Sequence, residues 1–140
     1  MSIRTLAVAV MALTCLAAPA PASAIQDHGG HPAALSLNDG AMWATDAPLR
    51  QAMTALRADV SRPDAADLPA RIDAQVQYMI DNCELPPEAD AQLHIVIEHL
   101  VDAADLMRAG HEAEGRAQAV AALNAYGAHF DHPGWTPIGG

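Results

Sequence analysis

Lysine is absent from this chain, phenylalanine occurs once, and aromatic residues make up only 4% of it. Seven arginines stand against seventeen aspartates and glutamates, for a formal charge of -10. A surface of that sign repels phosphate backbones and anionic lipid headgroups. It argues against a nucleic-acid partner and favours cations or basic proteins. Also missing are a glycine-rich phosphate loop, His-Glu-x-x-His, Gly-x-Ser-x-Gly, paired zinc cysteines and the Cys-x-x-Cys-His haem attachment site. The third and fourth helical segments described below carry no Glu-x-x-His repeat of the di-iron bundles. The reading is of a protein that is not an enzyme.

Cysteine is scarce as well, with Cys15 and Cys83 alone. Arg4 gives a positive start, Leu6 to Ala18 are almost wholly apolar, and Ala22-Ser23-Ala24 is a small-residue triplet. That pattern predicts a secretory signal over 1–24, cleaved after Ala24, and places the remainder in the periplasm. The apolar run is shorter than the ~20 residues a spanning helix needs, so no permanent membrane anchor is expected. Ala12-Leu13-Thr14 ahead of Cys15 fits lipoprotein processing poorly. Cleavage would leave seventeen carboxylates against six arginines, a balance of minus eleven. Cys83 would then be the one cysteine in an oxidising compartment, without an internal disulfide partner. Its alternatives are burial, metal binding, reactivity, or an interchain disulfide that makes a homodimer.

With 140 residues there is room for one domain around one core. Ile25 to Met42 lacks sustained periodicity and reads as a flexible arm. Helical spacing begins after Thr45 or Asp46, an N-cap, with Pro48 in the first turn and Leu49, Met53, Leu56 and Val60 on one stripe. Leu68, Ile72, Val76, Met79 and Cys83 repeat the pattern in a second helix. Pro87, Glu88 and Asp90 open a third that runs to about Arg108, with Leu93, Ile97, Leu100, Ala104 and Met107 inward. A fourth, alanine-rich helix from about Glu112 to Phe130 has Val120, Leu123, Gly127 and Phe130 on one side. Short turns between them predict an all-α, antiparallel up-down-up-down four-helix bundle over 43–135, with a C-terminal tail at 136–140.

That topology brings the start of the first helix, the turn between the second and third, and the end of the fourth to one end of the bundle. Met53, Cys83, His94 and His132 belong there, and the arm adds His28 and His31. Cysteine, methionine and histidine together suit copper(I) or zinc better than magnesium or calcium. Each also has a plain structural reading. Met53 and Met79 lie at core positions, where methionine is a gap filler. Cys83 suits a small core site, and a helix C-terminus does nothing to stabilise its thiolate. His94 lies one position off its stripe, where Asp90 or Glu98 would orient it. His132 follows the last helix, between Asp131 and Pro133, while His99, His111 and His129 read as solvated. Trp43 and Trp135 read as a hydrophobic lid over this end.

The strings Leu37-Asn38-Asp39-Gly40, Trp43-Ala44-Thr45-Asp46-Ala47-Pro48-Leu49-Arg50, Asn82-Cys83-Glu84-Leu85-Pro86-Pro87-Glu88-Ala89-Asp90 and Phe130-Asp131-His132-Pro133-Gly134-Trp135 resemble a family of small exported proteobacterial proteins without an established activity. The resemblance implies no catalytic residue. It implies a histidine-rich arm, of which this chain keeps His28 and His31. In size and helix order the chain is also similar to the soluble periplasmic b-type cytochrome bundle, which holds haem between a methionine early in its first helix and a histidine late in its fourth. Met53 matches that methionine, but Gly127 stands where the histidine is needed, which argues against haem. The expected function is non-catalytic binding of copper or zinc. The rival is a periplasmic protein-protein interaction module that needs no metal, and a haem-b carrier stands third.

Overall fold

The computed structural model describes residues 34–139. The signal-peptide reading and both arm histidines, His28 and His31, lie outside the described residues. Within them the chain forms four helices, α1 (Ala47–Val60), α2 (Leu68–Asn82), α3 (Pro87–Arg108) and α4 (Glu112–His129). Each helix packs on its neighbour in sequence, and α1 closes the ring on α4. This is the antiparallel four-helix bundle.

Asp46 caps α1, its Oδ1 accepting from the Leu49 N–H at 2.8 Å while Pro48 occupies the first turn, where its missing donor is harmless. Leu49, Met53, Leu56 and Val60 then face inward as their spacing requires. In α2 the stripe ends with Met79, because Cys83 leaves the helix with an extended backbone (φ -78, ψ 137) and is only half-buried. In α3 Leu93, Leu100, Ala104 and Met107 face inward as expected, and only Ile97 differs, half-buried beside a fully buried Val96. The face of α4 keeps Leu123 and Phe130 inward as expected but differs in the rest of its stripe. Its buried set is Gly115, Ala119, Ala122, Leu123 and Tyr126, while Val120 and Gly127 sit at the margin. Alanine on every side of α4 gives apolarity no direction. Closeness of approach selects the face instead, for a Cβ on Gly115 would stand 2.5 Å from the Ala103 carbonyl oxygen of α3.

The far end is held by Arg116 of α4, whose guanidinium donates to the carbonyls of Val60 at 3.0 Å and Arg62 at 2.9 Å. A cation thereby meets carbonyls that the end of α1 leaves free. Arg108 of α3 pairs with Asp73 of α2. Among the described residues no helix is long and apolar enough to cross a membrane.

Two segments assigned to the arm and tail belong to the folded body. Asn38 and Ala41 exchange backbone hydrogen bonds at 2.9 and 2.8 Å around Asp39 and Gly40, both at positive φ, the geometry of a tight two-residue hairpin. Leu35 packs on the core, the Ser36 N–H donates to Gln92 Oε1 of α3 at 2.8 Å, and the Trp43 indole donates to the Ser36 carbonyl at 2.6 Å. At the other terminus Ile138 and Asn124 exchange two hydrogen bonds, at 2.8 and 3.2 Å. Side chains rather than regular pairing order both segments, so no periodicity marks them in the sequence.

Candidate functional site

Chain entry and exit are laced together at the end of the bundle where the candidate residues gather. The Trp43 N–H donates to the His129 carbonyl and the Asp131 N–H donates to the Trp43 carbonyl, each at 2.8 Å. The Thr45 hydroxyl donates to the Asp131 carbonyl at 2.6 Å, and Arg50 donates to the Thr45 carbonyl at 2.7 Å. Asp46, already the cap of α1, uses its second oxygen to accept from the Glu84 N–H at 2.7 Å. One carboxylate thereby pins the start of α1 to the turn between α2 and α3.

The candidates separate onto two flanks of this end. On the α1–α4 flank, Tyr126 is fully buried and its hydroxyl lies 2.9 Å from His132 Nδ1. His132 Nε2 is 3.5 Å from the Thr54 hydroxyl oxygen, and that hydroxyl donates to the Arg50 carbonyl at 2.7 Å. The Thr54 oxygen therefore faces Nε2 as an acceptor, which favours a proton on Nε2 and leaves Nδ1 to accept from Tyr126. Burial and the nearby Arg50 charge hold His132 below its ordinary pKa of 6.5, and burial drives the Tyr126 hydroxyl well above its ordinary value. Both ring nitrogens of His132 are engaged, so it has no lone pair to give a metal. The sequence assigned its support to Asp131 and Pro133; the support comes from α1 and α4.

Trp135 completes this flank. Its ring lies 5.0 Å from Tyr126 edge to face and 5.0 Å from His132, with the Arg57 guanidinium 6.0 Å from its centroid. It sits against the bare face of Gly127, where a Cβ would stand 2.1 Å from the indole nitrogen. That face is where the resemblance to the haem bundle places a ligand, and here an indole fills it. Met53 is wholly buried in the hydrophobic core, which is the plain reading of its position.

On the α2–α3 flank, Cys83 and His94 line one groove of about 240 Å³ together with Met79, Ile80, Asp90 and Ile97. His94 is 63% exposed rather than half-buried. Its Nδ1 lies 2.9 Å from the Asp90 carbonyl oxygen and so carries the proton, which leaves the Nε2 lone pair free. The Asp46 carboxylate lies near the Cys83 thiol. Desolvation first, then the Asp46 and Asp90 charges, push it up to about 12. It is a protonated thiol in an electronegative place. His129, expected to be solvated, is half-buried and bonds the Ala125 carbonyl through Nδ1 at 2.7 Å, while His111 is exposed.

Topology thus brings Cys83 and His94 together and sets His132 and Met53 apart from them. Among the described residues no three histidine, cysteine, aspartate or glutamate side chains group closely enough to hold a metal ion. The residue of this end whose reach the sequence reading missed is Asp46, seen only as a cap; its longer-range bond to Glu84 leaves no trace in local spacing. Comparison with family models, curated proteins and solved structures finds no match to this chain.

Proposed function

We propose that this protein is a non-catalytic, periplasmic metal-binding bundle that takes up copper(I), or less readily zinc, in the groove of Cys83 and His94. The observation that carries the reading is the pairing there of a thiol with an imidazole whose Nε2 lone pair is free, beside the carboxylates of Asp46 and Asp90. Thiolate and imidazole are ligands of soft and borderline ions. Two protein ligands suffice for copper(I), which accepts linear coordination. Zinc seeks four, and the remainder would have to come from water or from His28 and His31. Binding releases the Cys83 proton to solvent, so affinity should rise with pH over the range where the free thiol stays protonated.

The test is titration of the reduced protein with copper(I) against a chromophoric chelator. One equivalent bound more tightly than micromolar is expected. Cys83→Ala and His94→Ala should each abolish it, and His132→Gln should leave it intact. Binding weaker than micromolar, or unchanged in the Cys83→Ala, His94→Ala double variant, overturns the reading. A His28→Ala, His31→Ala variant decides whether the arm supplies further ligands.

A second reading, an interaction module that needs no ion, draws support from Ile80, 62% exposed at the rim of the same groove, with Met42 at 47% and Leu37 at 42% nearer chain entry. Large apolar side chains left in water are the raw material of an interface. A homodimer that persists with chelator and reductant would favour it. The haem-b carrier has the least support, because Trp135 fills the Gly127 face; a Soret shift on adding hemin would revive it.

A further inference from the structure

The segment after Phe130, Asp131 to Ile138, is fastened to the α1–α4 flank by bonds of unequal kind. Arg57 donates to the Thr136 carbonyl and hydroxyl oxygens, both at 2.6 Å, and Asn124 holds Ile138; neither contact includes a group that titrates near neutrality as histidine does. Ahead of both, His132 and Trp135 form a joint that does. We infer that this segment is an acid-released strap, latched while His132 is neutral and let go, from His132 through Trp135, when that ring takes a second proton. The inference stands independently of the metal reading, since His132 gives no lone pair to an ion.

The hydrogen-bond directions carry the argument. Thr54 spends its proton on the Arg50 carbonyl and turns an acceptor toward His132 Nε2, which favours the tautomer protonated at Nε2, with Nδ1 accepting from Tyr126. Protonation at Nδ1 sets two donors against each other at 2.9 Å, and the Tyr126 ring is fully buried, without water to take its displaced hydrogen. The charges around the joint do not rescue the imidazolium. From α1, Arg50 opposes it, and Arg57 lies over the adjoining Trp135 ring. From α4 comes Tyr126, whose ionisation is disfavoured first by burial and further by the Asp46 and Asp131 charges, with Arg50 opposing them, so that it stays a donor. Among the described residues no carboxylate pairs with His132, whereas His94 and His111 each have one.

The strap is also poised to leave. The Trp135 indole N–H is buried against Gly127 without an acceptor, and undocking would give it water. Gly134, at φ +81, precedes it and supplies a pivot that a side chain would strain. Release would uncover the Tyr126 and Phe130 rings, which stack at 5.1 Å beneath the strap.

The test follows the His132 ring and the Trp135 indole by NMR in the full chain from neutral to acid pH, with circular dichroism alongside. One shared midpoint below 6.5 is expected for both residues, with helix content constant. His132→Gln should leave the Trp135 resonance independent of pH over that range, and Tyr126→Phe should move the midpoint upward. Three results would overturn the strap: Trp135 unmoved while His132 titrates, a Trp135 transition surviving in His132→Gln, or helix loss at the same midpoint, which would mean general acid unfolding.

Discussion

Gly115→Ala tests whether the α3–α4 contact is set by backbone proximity. A Cβ there would stand 2.5 Å from the Ala103 carbonyl oxygen, 2.6 Å from Met107 Cγ and 3.0 Å from the Met107 nitrogen. A carbon-oxygen contact needs about 3.3 Å, so α3 must retreat by roughly 0.8 Å. Met107 Cγ can swing aside, but the other two atoms are main chain. The surrounding contact is built from Ala103, Ala104, Ala119 and Ala122, all buried, which have no rotamers with which to absorb the shift. Overpacking of this kind costs about 1–3 kcal/mol, and rigid surroundings favour the upper value. Against it stands the ~1 kcal/mol by which alanine outranks glycine inside a helix. The net expectation is destabilisation of about 2 kcal/mol, read in urea by circular dichroism as a lower midpoint at unchanged slope. A variant as stable as the parent, or about 1 kcal/mol more stable as at an exposed helical glycine, would refute the proximity argument.

Gly127→Ala presents a closer clash, 2.1 Å, but with the side chain of Trp135, so the strap rather than the bundle should yield. Trp135 fluorescence should shift to the red while helix content is kept or rises. For pH, the native state depresses His132 below its unfolded value of 6.5; its contribution to stability is full above that value and is lost as pH falls through the native one. Urea midpoints should therefore fall on mild acidification, and less so in His132→Gln. Cys83 has the opposite sign, since its pKa is raised from 9.0 to about 12: stability is intact below 9 and declines as pH climbs toward 12. Thiol reagents near neutrality should label native protein at least tenfold more slowly than unfolded chain, and equal rates would contradict the assigned environment. Asp46→Asn keeps the cap on Leu49 but turns a donor or a neutral oxygen toward Cys83 and Glu84, so labelling should quicken at unchanged helix content.

Helix number, order and limits were legible because α1, α2 and α3 alternate aliphatic and charged residues at helical spacing, and because Asp46, Pro48 and Pro87 punctuate them. Faces were legible in proportion to that contrast. Leu49, Met53, Leu56 and Val60 point inward as read, whereas α4, alanine nearly all round, hid its face until the approach of Gly115 to Ala103 revealed it. Cys83 was misplaced for a different reason. Its spacing from Met79 continues the stripe, but the helix has already ended at Asn82, and a stripe has meaning only while the helix lasts. The hairpin at Asp39-Gly40 was legible in principle, since that dipeptide is the chemistry of a tight turn, but no alternating strands flank it.

The candidate site shows how far topology alone can carry such a reading. An up-down-up-down bundle decides which helix termini meet, and on that ground Cys83, His94 and His132 do share one end. It does not decide which flank each side chain takes. On α3, Asp90, His94 and Ile97 look toward α2, while Gln92, two residues before His94, is turned away to receive the Ser36 amide. A step of two residues rotates a helix by about 200°, so neighbours in sequence serve different flanks. The two flanks are joined by hydrogen bonds through the non-helical chain: the strap through Asp131 to Thr45, and Asp46, next in sequence, to the Glu84 N–H beside Cys83. Strap and groove are thereby tied by hydrogen bonds outside the core. That places the tie in the non-helical residues, where the sequence has no period to read.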